Sequence, residues 1–204
     1  MQKLSELHCD VLTEAFNLGM GQAAAALSQM VEEEVVLSVP ELNFLSTQKA
    51  ASLLNGKAHS SLSGVSQAFN GSFNGHAMLL FPEDKSLSLV RLLLQDTAPL
   101  DNLTEFEEEA LNEIGNIILN AGISALADMF HEDIHTDLPF FKQGRANDIL
   151  NVTTSNGQDT VLFLRVDFKL ERHAIDGYVI FLLSTPSIEN LYQQIDNYLT
   201  ALTG

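Results

Sequence analysis

Asp10, Glu14 and Asn17 stand at i, i+4 and i+7, so on a helix all three project from one face over about 10 Å. Two carboxylates can pair with a cation. A neutral carboxamide can accept from a water at its oxygen and donate from its nitrogen. Glu109, Glu113 and Asn116 repeat the arrangement later in the chain. One isolated Glu-x-x-Asn reads most simply as a solvated stripe on an amphipathic helix. Its duplication shifts the weighing toward chemistry, because the same carboxylate and amide recur in two helices that differ at most other positions. Asparagine is also a middling helix former, so its return in mid-helix calls for a reason beyond propensity.

The duplication extends well past these residues. Glu14 to Pro40 aligns without gaps on Glu113 to Pro139, at an offset of 99, with identities at Glu14/Glu113, Asn17/Asn116, Ala26/Ala125, Leu27/Leu126, Met30/Met129, Glu33/Glu132 and Pro40/Pro139. That is 7 positions of 27, where composition alone supplies roughly one or two.

The elements that must carry the triplets follow from periodicity. Leu4, Leu7, Val11, Ala15 and Leu18 keep near-helical spacing, and Phe106, Ala110, Ile114, Ile117 and Leu126 do so in the second copy. Thr104 with Glu107 reads as a capping box. Each helix runs to about Met30 or Met129 and hands over to an extended segment that closes on Pro40 or Pro139. Ser60 to Phe69, Phe73 to Phe81, Thr160 to Leu170 and Ile175 to Leu183 read as strands, and Pro82 to Gln95 and Pro186 to Leu199 as helices. The expected architecture is α/β (α+β-like): a pseudo-two-fold duplication of a helix-strand-strand-strand-helix unit, with one continuous, mostly antiparallel sheet and two long helices bearing the triplets. One domain over 1–204 is expected, made of repeats at about 4–96 and 103–201, with Thr97 to Asn102 as a short linker.

Composition bounds the partners. The chain has 204 residues, 46% apolar, and carries 27 acidic against 10 basic side chains for a net charge of -17. A phosphate backbone or an anionic membrane would be repelled. No apolar run reaches the ~18 residues of a membrane span, and no leader segment is visible, so a cytoplasmic protein is expected. Cys9 is the single cysteine, which excludes an internal disulfide and reads as a core thiol. The acidic runs Glu32 to Glu34 and Glu107 to Glu109 read as solvated helix faces.

The two copies, Asp10-x3-Glu14-x2-Asn17-x22-Pro40 and Glu109-x3-Glu113-x2-Asn116-x22-Pro139, resemble the signature of the CheC, CheX and FliY phosphatases of bacterial chemotaxis: an Asp or Ser, then Glu, Asn and a distal Pro. The run Glu14-Ala-Phe-Asn17-Leu-Gly19-Met-Gly21 is similar to the family's first helix. Two copies point to CheC more than to single-motif CheX, and the lack of a following rotor-type domain points away from FliY. Glu109 departs from the pattern's Asp or Ser, and Gly19-Met20-Gly21 becomes Ile118-Leu119-Asn120 in the second copy.

The resemblance implies a phosphatase acting on the aspartyl phosphate of a CheY-like receiver domain. Asn17 and Asn116 would position the attacking water, while Glu14 and Glu113 would pair with the receiver's active-site lysine. It implies no cofactor of the chain's own, with Mg²⁺ on the receiver, and a CheD-type deamidase as a further partner. The alternative is a docking protein without activity that binds a receiver or a CheD-type partner. Replacing the asparagines, as surface groups, is expected to leave stability almost unmoved.

One rival motif is His131-Glu132-Asp133-Ile134-His135, a formal match to the HExxH zinc-protease pattern. The repeat alignment places it where a helix ends and a strand begins. Extended, its histidines would lie ~13 Å apart and could not share one ion.

Overall fold

The computed structural model of the protein describes residues 5–55, 61–93, 103–151, 160–170 and 173–203. Helix α1 (Glu6–Val31) opens on Ser5, whose hydroxyl accepts the His8 N–H. Its buried face runs through Leu12, Ala15, Phe16, Gly19, Met20, Ala23 and Leu27, the spacing that turns one stripe toward a core. Strand β1 (Val35–Ser46) follows, then α2 (Thr47–Leu54), β2 (Leu62–Asn70), β3 (Gly75–Pro82) and α3 (Glu83–Leu93). The second repeat gives α4 (Leu103–Phe130), β4 (His135–Thr136), β5 (Phe140–Gly144), α5 (Ala146–Asn151), β6 (Thr160–Leu170), β7 (His173–Leu183) and α6 (Thr185–Thr203). The sequence-expected linker Thr97 to Asn102 lies outside the described residues.

All strand pairs are antiparallel, in the order β1-β6-β7-β3-β2, with β4 and β5 both on the far side of β2. The repeats are therefore interleaved: β1 of the first pairs with β6 of the second, and β5 of the second pairs with β2 of the first. Strands β3 and β7 meet in the middle, which is the pseudo-symmetry expected of the duplication.

Cores form on both faces of this sheet. On one face, α1, α4 and α6 cover a large core with an aromatic centre, in which Phe16 lies 5.2 Å from Phe181 and Phe181 lies 5.8 Å from Phe69, centroid to centroid. Rings buried like these each contribute about 3–5 kcal/mol. On the other face, α2 and α5 cover Leu62, Met78, Leu80, Val161, Ile180 and Leu182. Burial on both sides makes β2 almost wholly inaccessible, including Ser63, Ser66 and Gln67.

Several details differ from the sequence reading. Each repeat carries one more helix, α2 or α5, because Ser46 ends β1 and caps α2 by accepting the Lys49 N–H, and because Ala146 follows β5 almost at once. The extended segments do not close on their prolines. Strand β1 runs through Pro40 with its register against β6 shifting between Ser38 and Glu41, and in the second repeat Pro139 separates β4 from β5. A proline has no N–H for the ladder, so the strand bulges or breaks there and then resumes. Thr104 lies inside α4, and Glu107 is 2% exposed, accepting a 2.6 Å bond from Ser86 of α3. That carboxylate joins two helices instead of closing a capping box or facing solvent. Glu32 to Glu34 lie beyond the end of α1. Cys9 is half-buried, its thiol pushed up by burial and then by Asp10 and Glu6, so it is not a core thiol.

Both long helices end alike, on a residue in the left-handed region: Glu32 at φ 57° and His131 at φ 55°, which are 99 positions apart. Beyond His131, the Glu132 N–H donates to the Ala127 carbonyl at 2.9 Å, which satisfies a carbonyl the helix itself leaves free. The repeats differ in how their helices sit on the sheet. A Cβ on Gly115 would fall 2.7 Å from Val65 Cβ, so α4 rests directly on β2. The matching position in α1 is Phe16, whose ring fills the space instead. Gly19 allows the helices to meet, since a Cβ there would lie 2.7 Å from the Ala121 carbonyl oxygen.

Candidate functional site

In the first repeat, Asp10, Glu14 and Asn17 are all exposed along α1. The Asn17 Oδ1 accepts the Val39 N–H at 3.2 Å, which ties the helix to β1 one residue before the exposed Pro40. A peptide N–H can only donate, so this bond fixes the amide: the oxygen faces the strand and Nδ2 is left outward. Glu14 stands one turn earlier, in no ion pair among the described residues, and Leu18 is 55% exposed beside Asn17.

In the second repeat, Glu109 and Glu113 are exposed and Asn116 is half-buried. Among the described residues, Asn116 bonds no strand peptide. Its Oδ1 accepts from Asn120 Nδ2 at 2.8 Å, Asn120 Oδ1 accepts from Gln67 Nε2 at 3.0 Å, and Gln67 Nε2 also donates to the Asp137 carbonyl at 2.8 Å. Leu138, next to Pro139, is 88% exposed, whereas its counterpart Val39 is buried. The Glu and Asn of each pair thus lie on one helix face; Pro40 follows the strand residue bonded to Asn17, and Pro139 lies between β4 and β5.

Sequence reasoning did not single out Asn120 or Gln67. Two signals were available. Asn112, Asn116 and Asn120 form an i, i+4, i+8 ladder, and Gln67 interrupts an apolar or small-residue run from Leu62 to Phe69. Gln67 is 1% exposed and its buried Oε1 has no hydrogen-bond partner among the described residues, an uncommon state for an amide.

The HExxH resemblance does not survive the geometry. His131 has left the helix at φ 55°, and His135 sits in β4, so the two never share a helix face. Among the described residues, no group of three or more His, Cys, Asp or Glu side chains is placed to hold a metal ion. No helix among them is long and apolar enough to cross a membrane.

No family model matches the sequence. The CheY-P phosphatase CheC of Bacillus subtilis is 24% identical over 139 residues, which cover 67% of this chain and 66% of the relative, just under two thirds of its length. The solved FliY of Thermotoga maritima superposes with a TM-score of 0.78 at 17% identity, over 97% of this chain and 100% of that one. CheX in the CheX–CheY–BeF3–Mg²⁺ complex of Borrelia burgdorferi superposes with a TM-score of 0.51 at 19% identity, over 84% and 97%. In sequence this chain is similar to CheC over 67% of its length, and its fold is the one shared by FliY and CheX.

Proposed function

We propose that the chain is a phosphatase for the aspartyl phosphate of a CheY-like receiver domain, working through the exposed faces of α1 and α4. The observation that carries this reading is the duplicated Glu and Asn, each pair open to solvent on one side while the asparagine is held from the other. The similarity to CheC, a CheY-P phosphatase, and to a CheX solved with CheY supports the substrate class.

An acyl phosphate is already activated, so the catalyst's main task is to place a water in line with phosphorus. Water oxygen bonds to phosphorus, the bond from phosphorus to the receiver's carboxylate oxygen breaks, and inorganic phosphate and a free aspartate result. The outward amide of Asn17 or Asn116 suits this role, because it is neutral. A carboxylate there would repel the phosphoryl oxygens. Glu14 and Glu113 pair with the receiver's active-site lysine, which orients the docked helix. The Mg²⁺ belongs to the receiver substrate.

The test is phosphate release from a phosphorylated receiver domain, comparing the wild type with Asn17→Ala, Asn116→Ala and the double variant. Acceleration that disappears only in the double variant supports two working sites, and loss in one single variant names the working helix. No acceleration, with receiver binding intact, moves the assignment to the docking role, toward a receiver or a CheD-type deamidase.

A further inference from the structure

The two sites hold their asparagines by different means. At the first, the donor is the main chain of Val39. At the second, it is a relay of side-chain amides whose direction is set from outside. The Asp137 carbonyl can only accept, so Gln67 must turn its nitrogen toward it. The second N–H of that nitrogen reaches Asn120 Oδ1. Asn120 therefore presents Nδ2 to Asn116, and Asn116 receives it at Oδ1, leaving its own nitrogen outward as in Asn17. The anchor is itself fixed, since the Asp137 N–H donates to the Ala68 carbonyl at 2.9 Å on the same strand as Gln67. At the first site the matching positions are Gly21 and Val166, neither of which has a side chain able to do this.

Gln67 takes this role while its buried Oε1 is left without a partner among the described residues. Close seating of α4 on β2, permitted by Gly115 against Val65, is what brings the amides within reach.

We propose that Asn120 and Gln67 are positioning residues for Asn116, so that the second site depends on a side-chain relay and the first does not. Its rate readout rests on the phosphatase reading above; its spectroscopic readout does not. Asn120→Asp keeps the shape and removes the donor, because a carboxylate only accepts. Asn116 must then turn its nitrogen inward toward the introduced carboxylate. Gln67→Met breaks the relay one step earlier, removes the orphaned oxygen, and serves where the first variant does not fold.

Both are made in two backgrounds: Asn17→Ala, which isolates the second site, and Asn116→Ala, which isolates the first. In the Asn17→Ala background, kcat for receiver dephosphorylation should fall about 10-fold or more, with KM changed less than about 2-fold, since Glu113 still docks. In the Asn116→Ala background neither should move. Side-chain amide resonances of Asn116 in the otherwise wild-type protein should shift with both variants. Equal losses in both backgrounds, no loss in the first, or unmoved Asn116 resonances would each overturn the proposal. If the Asn17→Ala protein releases no phosphate at all, it is catalysis at the second site that fails, and the resonances alone decide the relay.

Discussion

The carboxamide oxygen of Asn17 accepts the N–H of Val39 at 3.2 Å, across the junction of α1 and β1 and one residue before Pro40. This bond ties a proposed catalytic group to the frame of the sheet, and it alters one expectation drawn from sequence. Asn17→Ala with Asn116→Ala should reduce phosphate release by on the order of 100-fold, as the loss of a positioning group does. Stability should not stay level, because Val39 loses an acceptor and the Gln67 relay loses its terminus. A cost of about 1–2 kcal/mol is expected at each site, read as a lower urea midpoint with an unchanged slope. An unfolded double variant would make the asparagines structural and remove them from the mechanism.

Glu14 and Glu113 are exposed, so their replacement tests docking without disturbing the fold. In steady-state kinetics against a phosphorylated receiver, Glu14→Lys in the Asn116→Ala background should raise KM by about 10-fold, since a like charge then faces the receiver's lysine. The thermal midpoint should stay where it was. A variant with unchanged KM would show that Glu14 does not meet a cation in the complex.

The long helices, the duplication and strands β2, β3, β6 and β7 were legible because periods of 3.6 and 2 persist over many residues. What escaped was short or depended on partners far away in the chain. Helices α2 and α5 span 8 and 6 residues, too few for a periodic signal, and each begins within two residues of a strand end. Glu107 looked like a capping residue because Thr104 precedes it by three, yet its partner is Ser86, 21 positions away. That the Glu and Asn of each copy share one helix face could be read from their spacing. The Gln67 relay could not, because it joins β2 of one repeat to α4 of the other across 53 positions.

Glu32 ends α1 at φ 57°, a region in which any side chain but glycine's is crowded. Its own side chain is exposed. Glu32→Gly should therefore stabilise the protein by about 1 kcal/mol, the usual gain from glycine at a left-handed helix end. The matching change His131→Gly should do the same, and the two should add, because they sit on separate helix ends. Urea unfolding measures both, and a loss of stability in either would mean that the side chain makes a contact worth more than the strain it causes.

His76 lies on β3 with its Nδ1 buried and without a hydrogen-bond partner among the described residues. Burial pushes its pKa down, Lys142 from β5 pushes the same way, and Asp137, the smallest of the three, acts in the opposite direction. The neutral ring is thus favoured in the fold. As pH falls through about 6.5, the unfolded chain takes up the proton first. Stability that His76 contributes above that pH is lost as the pH drops toward the lower folded value. His76→Gln removes the titration while keeping a polar side chain of similar reach. Between about pH 7.5 and 5.5, the urea midpoint of the wild type should fall more steeply than that of the variant, because the remaining histidines and carboxylates are common to both. Parallel curves would show that the ring gains a proton as easily in the fold as outside it, and that its buried nitrogen finds an acceptor when charged.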